Sequence, residues 1–272
     1  MSALNTIGLH LQEDSRPVRT NRFWSLYGVW FRHYRVYTNT LLANALPPVL
    51  EPLFFFTAIA FGLGKYLPEF EEMPYRAYIA SGILVTSAMF AGIYECTFGT
   101  FVRLVFQKTY DAMLGTHLRI SEIFTGEMIF TGTKGAVFST IVMLVTAAFG
   151  VRLNAWCALV PLVGFLTGYL YGAIGLIVCS YVKTINNFNF FLTGVVTPMF
   201  FLSGAFFPIR GIHPAVDMVS FVNPLSHSVQ LSRALYKAEL TAVTAGSIGV
   251  LLGCLMVCHA FAVYRMSTRV LS

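Results

Sequence analysis

The sequence predicts an all-α membrane protein with six transmembrane helices. Of its 272 residues, 56% are hydrophobic and only 11% are charged, whereas a soluble domain typically has about 25% charged residues. The mean hydropathy is +0.69. The apolar residues come in runs of roughly 20, the length that a helix needs to cross a hydrocarbon core. Because backbone groups in lipid must be hydrogen-bonded within their own segment, each run is predicted to be helical.

Residues 1–20 are polar and are predicted to form an N-terminal tail, followed by an interfacial amphipathic helix over 21–38. Aromatic rings recur along one face of this helix, while Ser25, Gly28 and two arginines lie on the other. Rings with basic neighbours favour the boundary of the lipid headgroups. A soluble helix packed on another domain is the alternative. The candidate interfacial residues are Phe23, Tyr27, Trp30, Arg32, Tyr34 and Arg35.

Six apolar runs follow, and they make a six-helix transmembrane domain over 40–265 with a cytoplasmic tail over 266–272. An even number of spans places both termini on one side of the membrane. Assigning that side to the cytoplasm gives it most of the arginines and lysines, as the positive-inside rule requires. We therefore expect a multi-pass protein of the bacterial cytoplasmic (inner) membrane with both termini cytoplasmic. The predicted spans are 40–63, 75–100, 121–149, 156–180, 187–207 and 243–264.

Glycines repeat at a spacing of four in two of these spans. Gly164, Gly168 and Gly172 lie in the fourth span, and Gly249 and Gly253 lie in the sixth. Small residues on one helix face let two backbones approach closely in lipid. The pattern fits packing within one chain as well as dimerisation.

The loop between the second and third spans is predicted to contain an amphipathic helix over 103–116 that ends near Gly115. Phe106, Tyr110 and Met113 or Leu114 share its apolar face. Such a helix can dock into a groove of a soluble partner, and the alternative is a loop helix that rests on the membrane. The candidate coupling residues are Arg103, Phe106, Gln107, Lys108, Thr109, Tyr110, Asp111, Met113 and Leu114.

The segment after the fifth span is predicted to form short outward-facing helices that dip back toward the membrane. Pro208, Pro214 and Pro224 are expected to start or break these helices. The candidate residues of this outer exit segment are Phe207, Pro208, Asn223 and Pro224.

Four ionisable residues, Glu51, Glu95, Glu127 and Lys134, fall within or near the apolar spans. A charge at the centre of a membrane helix costs roughly 2.5–3.5 kcal/mol, so each residue needs a partner or a wet cavity. Glu127 and Lys134 are seven residues apart, about 10.5 Å along a helix, which is too far for a direct salt bridge. One hypothesis is that Glu127 and Lys134 line a polar entry for the headgroup of an amphipathic substrate. The alternative is that they pair with other helices or extend to the interface.

Known catalytic and nucleotide-binding motifs are absent from the sequence. The only Gly-Lys pair, Gly64-Lys65, is followed by Tyr66 rather than Ser or Thr, so no P-loop is present. No HExxH, GxSxG or CxxC motif occurs. Although the net charge is +6, the basic residues are spread over the loops. We therefore expect no catalytic residue, no metal or cofactor in this chain and no nucleic-acid partner.

The order of these features resembles the membrane subunit (permease) of ABC type-2 exporters. An interfacial helix is followed by two spans, a Thr-Tyr-Asp-Ala-Met-Leu helix, three spans, a Phe-Phe-Pro-Ile exit, an Asn-Pro-Leu segment and a last span. Within that family the chain is most similar to nodulation-type lipooligosaccharide and polysaccharide export permeases. The stretches from Glu95 to Leu114 and from Gly126 to Met128 carry this closer likeness.

The resemblance implies a transport subunit rather than an enzyme. Two permease copies, a homodimer in the simplest case, would pair in the membrane lipid on two ATP-binding subunits that hold ATP and Mg. The 103–116 helix would couple to the ATPase, the interfacial helix would also touch it, and the 208–235 region would shape the outer exit. The cargo would be a lipooligosaccharide, a lipid-linked glycan or a drug-like amphipathic molecule. A self-sufficient ion- or proton-coupled carrier and a membrane-embedded enzyme are the alternatives.

Overall fold

Apart from one short β-hairpin, the described chain consists of helices and connecting loops, which confirms the all-α prediction. The computed structural model describes residues 21–39, 41–62, 64, 66, 69–70, 73–208, 213–239 and 241–271, with the backbone alone for 41–49, 51, 69 and 70. The predicted tail over 1–20 and the side chain of Glu51 therefore lie outside the description. The hairpin pairs β1 (Glu69–Phe70) with β2 (Met73–Pro74) in antiparallel register.

Within the described residues, four helices are long and apolar enough to cross a membrane: α3 (Tyr75–Phe106), α5 (Ile120–Ala148), α6 (Ala155–Tyr181) and α10 (Ala242–Leu271). They match four of the predicted spans. Two of them continue farther than predicted, since α3 runs six residues beyond 100 and α10 continues through most of the expected tail. The extension of α3 has a structural cause, because two π-helical stretches, Glu95–Gly99 and Val102–Phe106, prolong it.

The other two predicted spans correspond to shorter or less fully described helices. Helix α2 (Leu41–Gly62) follows α1 (Arg22–Asn39), and the part of α2 whose apolar character is described is Pro52–Gly62. Helix α7 covers 187–201, with a π-helical stretch at Leu192–Val196. It ends six residues before the predicted limit, and the turn that follows contains Gly204 with a positive φ of 76°. The six-span count remains a prediction for these two segments.

The glycine face of α6 packs inside this chain. A Cβ atom at Gly168 would lie 2.7 Å from the carbonyl oxygen of Thr131 and 3.1 Å from Cα of Gly135, both on α5. Helix α3 also packs closely on α6, since a Cβ at Gly92 of α3 would collide with the carbonyl oxygen of Gly168. By contrast, a Cβ at Gly249 or Gly253 of α10 would meet no described atom within 4 Å. The first glycine motif therefore serves packing within the chain, and the second faces away from the described part of it.

Two short helices follow α7, and each starts at a proline, as the sequence predicted. Helix α8 (Pro214–Val222) and helix α9 (Pro224–Lys237) both begin with proline in the first turn. Asn223 caps α9 by accepting a hydrogen bond from the Leu225 amide at 3.1 Å, and its Nδ2 donates to the Met199 carbonyl oxygen at 2.7 Å. The guanidinium of Arg233 lies 3.6 Å from the ring centroid of Tyr78. These contacts fix the outer segment against the end of α7 and the start of α3.

Candidate functional site

A chain of four alternating charges connects α3 with α5. Lys134 Nζ contacts Glu95 Oε2 at 2.8 Å, Arg103 Nη1 contacts Glu95 Oε1 at 2.7 Å, and Arg103 Nη2 forms an ion pair with Glu127 Oε1. The side chains are nearly buried, with exposed fractions between 0% and 13%. Each buried charge therefore has an opposite charge beside it, which is the condition for keeping ions in an apolar interior.

The π-helical stretches of α3 place Glu95 and Arg103 side by side. Glu95 opens the first stretch, and Arg103 lies in the second, eight residues later. Gly99 lies midway between them, and a Cβ there would come within 3.2 Å of Glu95 Oε1 and 3.3 Å of both Arg103 Nη atoms. The missing side chain leaves room for the guanidinium to fold back along the helix. π-Helical turns of this kind occur often at functional sites.

Glu127 and Lys134 do not pair directly, which confirms the prediction from their seven-residue spacing on α5. Instead Glu95 and Arg103 of α3 bridge them. This is the pairing between helices that the sequence left open as the alternative to a substrate path. Glu127 is fully buried, whereas Glu95 and Lys134 line a cavity, so only part of the predicted polar path is accessible.

Glu127 is also the acceptor for two hydroxyl groups. Thr100 of α3 donates to its Oε1, and the Tyr110 hydroxyl donates to its Oε2 at 2.7 Å. The same Tyr110 oxygen accepts a 3.3 Å hydrogen bond from Nε of Arg103. Burial, and after it the negative charge of Glu127, raises the pKa of Tyr110 well above its usual value. The phenol therefore keeps its proton and acts as a hydrogen-bond donor to the carboxylate.

The helix that carries Tyr110 is shorter than predicted. Helix α4 covers Thr109–Leu114 and is separated from α3 by Gln107 and Lys108, and the φ of 49° at Lys108 lies in the left-handed region. The prediction of one helix over 103–116 is thus wrong in its first half. Arg103 and Phe106 end α3 instead, because the π-helical stretch holds Arg103 in its ion pairs.

The predicted apolar face of this segment is also divided. Tyr110 and Met113 are buried, whereas Phe106 is 68% exposed and points elsewhere. Gln107, Lys108 and Asp111 are exposed, and Thr109 and Leu114 are half-buried. Helix α4 therefore presents a polar outer side and anchors its inner side in the charge cluster.

A cavity of about 610 Å³ lies between α1, α2, α3, α5 and α7. One end is polar, with Glu95, Arg103 and Lys134 from the charge cluster and Arg32, His33 and Tyr37 from α1. The other end is apolar, with Phe55, Phe90, Phe200 and Phe206 among its residues. The size is within the range of small-molecule sites, about 300–1,000 Å³. The division into two ends suits an amphipathic ligand.

Helix α1 closes the polar end of this cavity. Its buried side, Ser25, Val29 and His33, packs on α5, where a Cβ at Gly126 would lie 2.8 Å from Val29. Trp30 Nε1 donates a 3.1 Å hydrogen bond to Thr133 Oγ1. The ammonium of Lys134 lies 4.6 Å from the ring centroid of Tyr37. The position of α1 is thus fixed by the helix that carries two of the four charges.

The predicted aromatic face of α1 is exposed along most of its length. Phe23, Tyr27 and Tyr34 are between 45% and 66% exposed, and Trp30 stacks on Tyr34 with 5.4 Å between centroids. Arg35 is exposed and Arg32 is half-buried at the cavity. Exposed rings with basic neighbours are what an interfacial helix requires.

The predicted exit residues lie at the other end of the molecule. Asn223 is buried at the start of α9, Pro224 follows it, and Phe207 is 56% exposed. Pro208 lines a second cavity of about 250 Å³ together with Arg233 of α9. The neighbouring residue Ala205 packs against Gly82 near the beginning of α3, far along the helix from Glu95. The exit residues and the charge cluster are therefore separate sites.

Sequence reasoning missed three contributors to the site: the inward position of Arg103, the Tyr110–Glu127 hydrogen bond and the phenylalanine wall of the cavity. The sequence did contain a signal for the position of Arg103, because Arg103 is the nearest cation to Glu95 along the chain and Gly99 lies between them. The phenylalanines come from three different helices and the loop after α7, so no local pattern brings them together.

Comparison with known proteins finds similarity over the region that contains the charge cluster and the cavity. Residues 25–236 match the family described as ABC-2 type transporter. The chain is 31% identical over 251 residues to nodulation protein J of Rhizobium meliloti (strain 1021), which covers 91% of this chain and 93% of that protein. It is 34% identical over 210 residues to nodulation protein J of Rhizobium leguminosarum bv. trifolii, covering 76% and 79%. The inner membrane transport permease YadH of Escherichia coli (strain K12) is 22% identical over 211 residues, covering 76% and 81%.

Proposed function

This chain belongs to the ABC-2 type transporter family, and from that membership we propose that it is the permease subunit of an ATP-driven exporter. In this proposal the chain spans the bacterial inner membrane with both termini in the cytoplasm and pairs with a second copy. ATP and Mg bind to two copies of a separate ATP-binding subunit. The cargo is an amphipathic molecule such as a lipooligosaccharide or a lipid-linked glycan.

The observation that carries the proposal is the hydrogen bond between Tyr110 and Glu127. It joins α4, whose outer side is polar and exposed, to the charge cluster at the cavity wall. An exporter needs an element of this kind, because ATP is hydrolysed in a different subunit from the one that holds the cargo. Asp111 of α4 and the preceding residue Lys108 can contact the soluble subunit while Tyr110 reaches inward.

A displacement of α4 would change the charge cluster in a defined order. Moving the Tyr110 hydroxyl removes a donor from Glu127 and alters the position of Arg103, which contacts both residues. Arg103 shares Glu95 with Lys134, so a shift in Arg103 changes how Lys134 is held at the cavity. Packed and hydrogen-bonded groups with two discrete arrangements are the physical means by which distant sites are coupled.

The cavity supports the choice of cargo. Its charged end lies toward α4, and its phenylalanine end continues along α3 and α7 to Phe206. An amphipathic molecule can place its headgroup at the first end and its apolar part at the second. A second permease copy would complete the passage beyond the walls that this chain supplies.

The proposal is tested by purifying the chain in a mild detergent after expression with candidate ATP-binding subunits. We expect a complex with two copies of an ATPase, measured by native mass and by ATP hydrolysis. Exchanging the charges of Lys108, which precedes α4, and of Asp111 on α4 (Lys108→Glu with Asp111→Lys) should dissociate it. Arg152→Glu is a control for a charge reversal elsewhere on the surface, because Arg152 is exposed in the loop between α5 and α6.

Two results would contradict the proposal. One is a complex that survives the double reversal as well as it survives Arg152→Glu. The other is a protein that transports its cargo without any nucleotide-hydrolysing partner, which would favour the self-sufficient carrier.

A further inference from the structure

The cavity contains a third cation, Arg32, that the charge cluster does not neutralise. Arg103 and Lys134 are paired with carboxylates of Glu95 and Glu127. Arg32 lines the same polar end from helix α1 but forms no ion pair with any described side chain. Its Nη1 is buried and has no hydrogen-bond partner among the described residues. A buried guanidinium donor without an acceptor is costly, and Arg32 also has no counterion among the described side chains.

The charges around Arg32 favour an anion. Among the described side chains at this end, the three cations Arg32, Arg103 and Lys134 outnumber the carboxylates of Glu95, which lines the cavity, and Glu127, which lies buried behind it, by one charge. Burial lowers the pKa of Arg32, and the positive charge of Arg103 lowers it further. His33 adds no charge at neutral pH, because burial and then Arg103 lower its pKa to about 4. An anionic group in the cavity beside Arg32 would balance this charge.

The shape of the cavity restricts the anion to one attached to an apolar body. The volume of about 610 Å³ is far larger than an inorganic anion needs. Phe55, Phe90 and Phe200 line the part that is distant from Arg32 along α3. A guanidinium presents paired donors that match the oxygens of phosphate-type groups.

We propose that the cavity binds an amphipathic molecule that carries an anionic oxyanion group of the phosphate or sulfate type, with Arg32 holding that group and the phenylalanines holding the apolar part. The inference names the substrate class of the exporter proposed above and rests on that function for its biological meaning. Binding itself requires only this chain.

The test is an equilibrium binding measurement on the purified chain in a neutral maltoside detergent. The probe is radiolabelled lysophosphatidic acid, followed by scintillation proximity. The competitors are a monoacylglycerol with the same acyl chain, which lacks the anion, and inorganic phosphate, which lacks the apolar body. We expect each competitor to need at least about tenfold more material than unlabelled lysophosphatidic acid for the same displacement.

Three variants assign the anion contact to Arg32. Arg32→Gln should weaken binding at least about tenfold, because it removes a charge-assisted bond. Arg32→Lys should recover most of the affinity, since it restores the charge without the planar fork. Arg22→Gln is the matched control, because Arg22 is exposed at the start of the same helix and the substitution removes the same charge. The affinity of this variant for the probe should stay within about twofold of the wild type.

Each contrary result overturns the inference. Unchanged binding in Arg32→Gln removes the assigned contact, and equal losses in Arg32→Gln and Arg22→Gln indicate diffuse surface attraction. Equal displacement by the monoacylglycerol shows that the anion is not recognised, and equal displacement by inorganic phosphate shows that the apolar part is not. The assay contains no ATP-binding subunit, so it tests the site separately from the exporter function. Binding without ATP-driven transport would support this site and contradict the exporter function. ATP-driven transport without binding of the probe would support the exporter function and contradict this site.

Discussion

The hydroxyl of Tyr110 on α4 donates a 2.7 Å hydrogen bond to Oε2 of Glu127 on α5, beside the packing of the Tyr110 ring on Phe124. Tyr110 is 1% exposed and Glu127 is 0% exposed, so neither group has water as an alternative partner. A buried acceptor that loses its donor keeps the full cost of desolvation. This hydrogen bond is therefore the most direct physical link between the outer side of α4 and the cavity.

Removing the Tyr110 hydroxyl should uncouple the two ends of this link without displacing α4. In Tyr110→Phe the ring can still pack 5.3 Å from Phe124, while Glu127 loses one donor, at a cost of about 1–3 kcal/mol in stability. We expect ATP hydrolysis to persist and the amount of cargo moved per ATP to fall, measured in vesicles that contain the complex. Tyr264→Phe, on a ring that is 65% exposed, is the control. An unchanged transport ratio in Tyr110→Phe would refute the link.

The ion pair between Glu95 and Lys134 can be tested with a double-mutant cycle. Glu95→Gln and Lys134→Met should each destabilise the protein by about 3–5 kcal/mol, because each leaves a buried charge without its partner. The double variant should lose less than the sum of the two, since the residues contact each other at 2.8 Å. Strictly additive losses in thermal unfolding would contradict direct pairing.

The same Lys134→Met variant tests the polar path that the sequence suggested. Lys134 lines the cavity, so its loss should lower transport at matched expression. Glu127→Gln should lower transport as well, but through Arg103 and Tyr110 rather than through the cargo, because Glu127 is fully buried. Wild-type transport by both variants would exclude these residues from the path and from the link.

The two glycine motifs should respond differently to the same substitution. Gly168→Ala places a Cβ 2.7 Å from the backbone oxygen of Thr131, which cannot move without shifting α5, and overpacking of this kind costs about 1–3 kcal/mol. Gly249→Ala meets no described atom within 4 Å and should leave stability unchanged or raise it by up to about 1 kcal/mol. Melting temperatures in one detergent compare the two. A loss in Gly249→Ala equal to that in Gly168→Ala would mean that α10 packs closely on something outside this chain.

The sequence predicts the long helices well because their signal is local. The apolar runs of α3, α5, α6 and α10 are long enough to be recognised from composition alone. Pro214 and Pro224 likewise start helices through their own restricted φ. These features need no knowledge of which segments lie side by side.

The interior of the site depends on contacts between segments, and there the sequence was insufficient. A regular helical period assigns Arg103 to the exposed loop, but the π-helical stretch turns it toward Glu95 and Glu127. Lys108 adopts a left-handed conformation that no local preference of lysine suggests. The position of Arg103 follows from its ion pairs, and those pairs become visible only once α3 and α5 are placed together.

The pH dependence of α1 docking should report the buried imidazole of His33. Burial, and then the charge of Arg103, lowers its pKa from the usual 6.5 to about 4. Above about pH 6.5 the imidazole is neutral in the folded and the unfolded chain, so it adds no pH dependence. As the pH falls from 6.5 to about 4, the unfolded chain takes up a proton that the folded chain excludes, so the free energy of unfolding falls, by about 3 kcal/mol over the whole window.

His33→Phe separates this effect from the titration of carboxylates elsewhere in the chain. A phenylalanine can keep the stacking on Phe130, which lies 5.3 Å from the imidazole, and the buried Nε2 of His33 has no hydrogen-bond partner among the described residues. The variant should therefore match the wild type in melting temperature at pH 7.5 and exceed it at pH 5, with the difference growing as the pH is lowered toward 4. If the two melting curves fall in parallel with pH, His33 is not the buried neutral base that its position beside Phe130 and Arg103 requires.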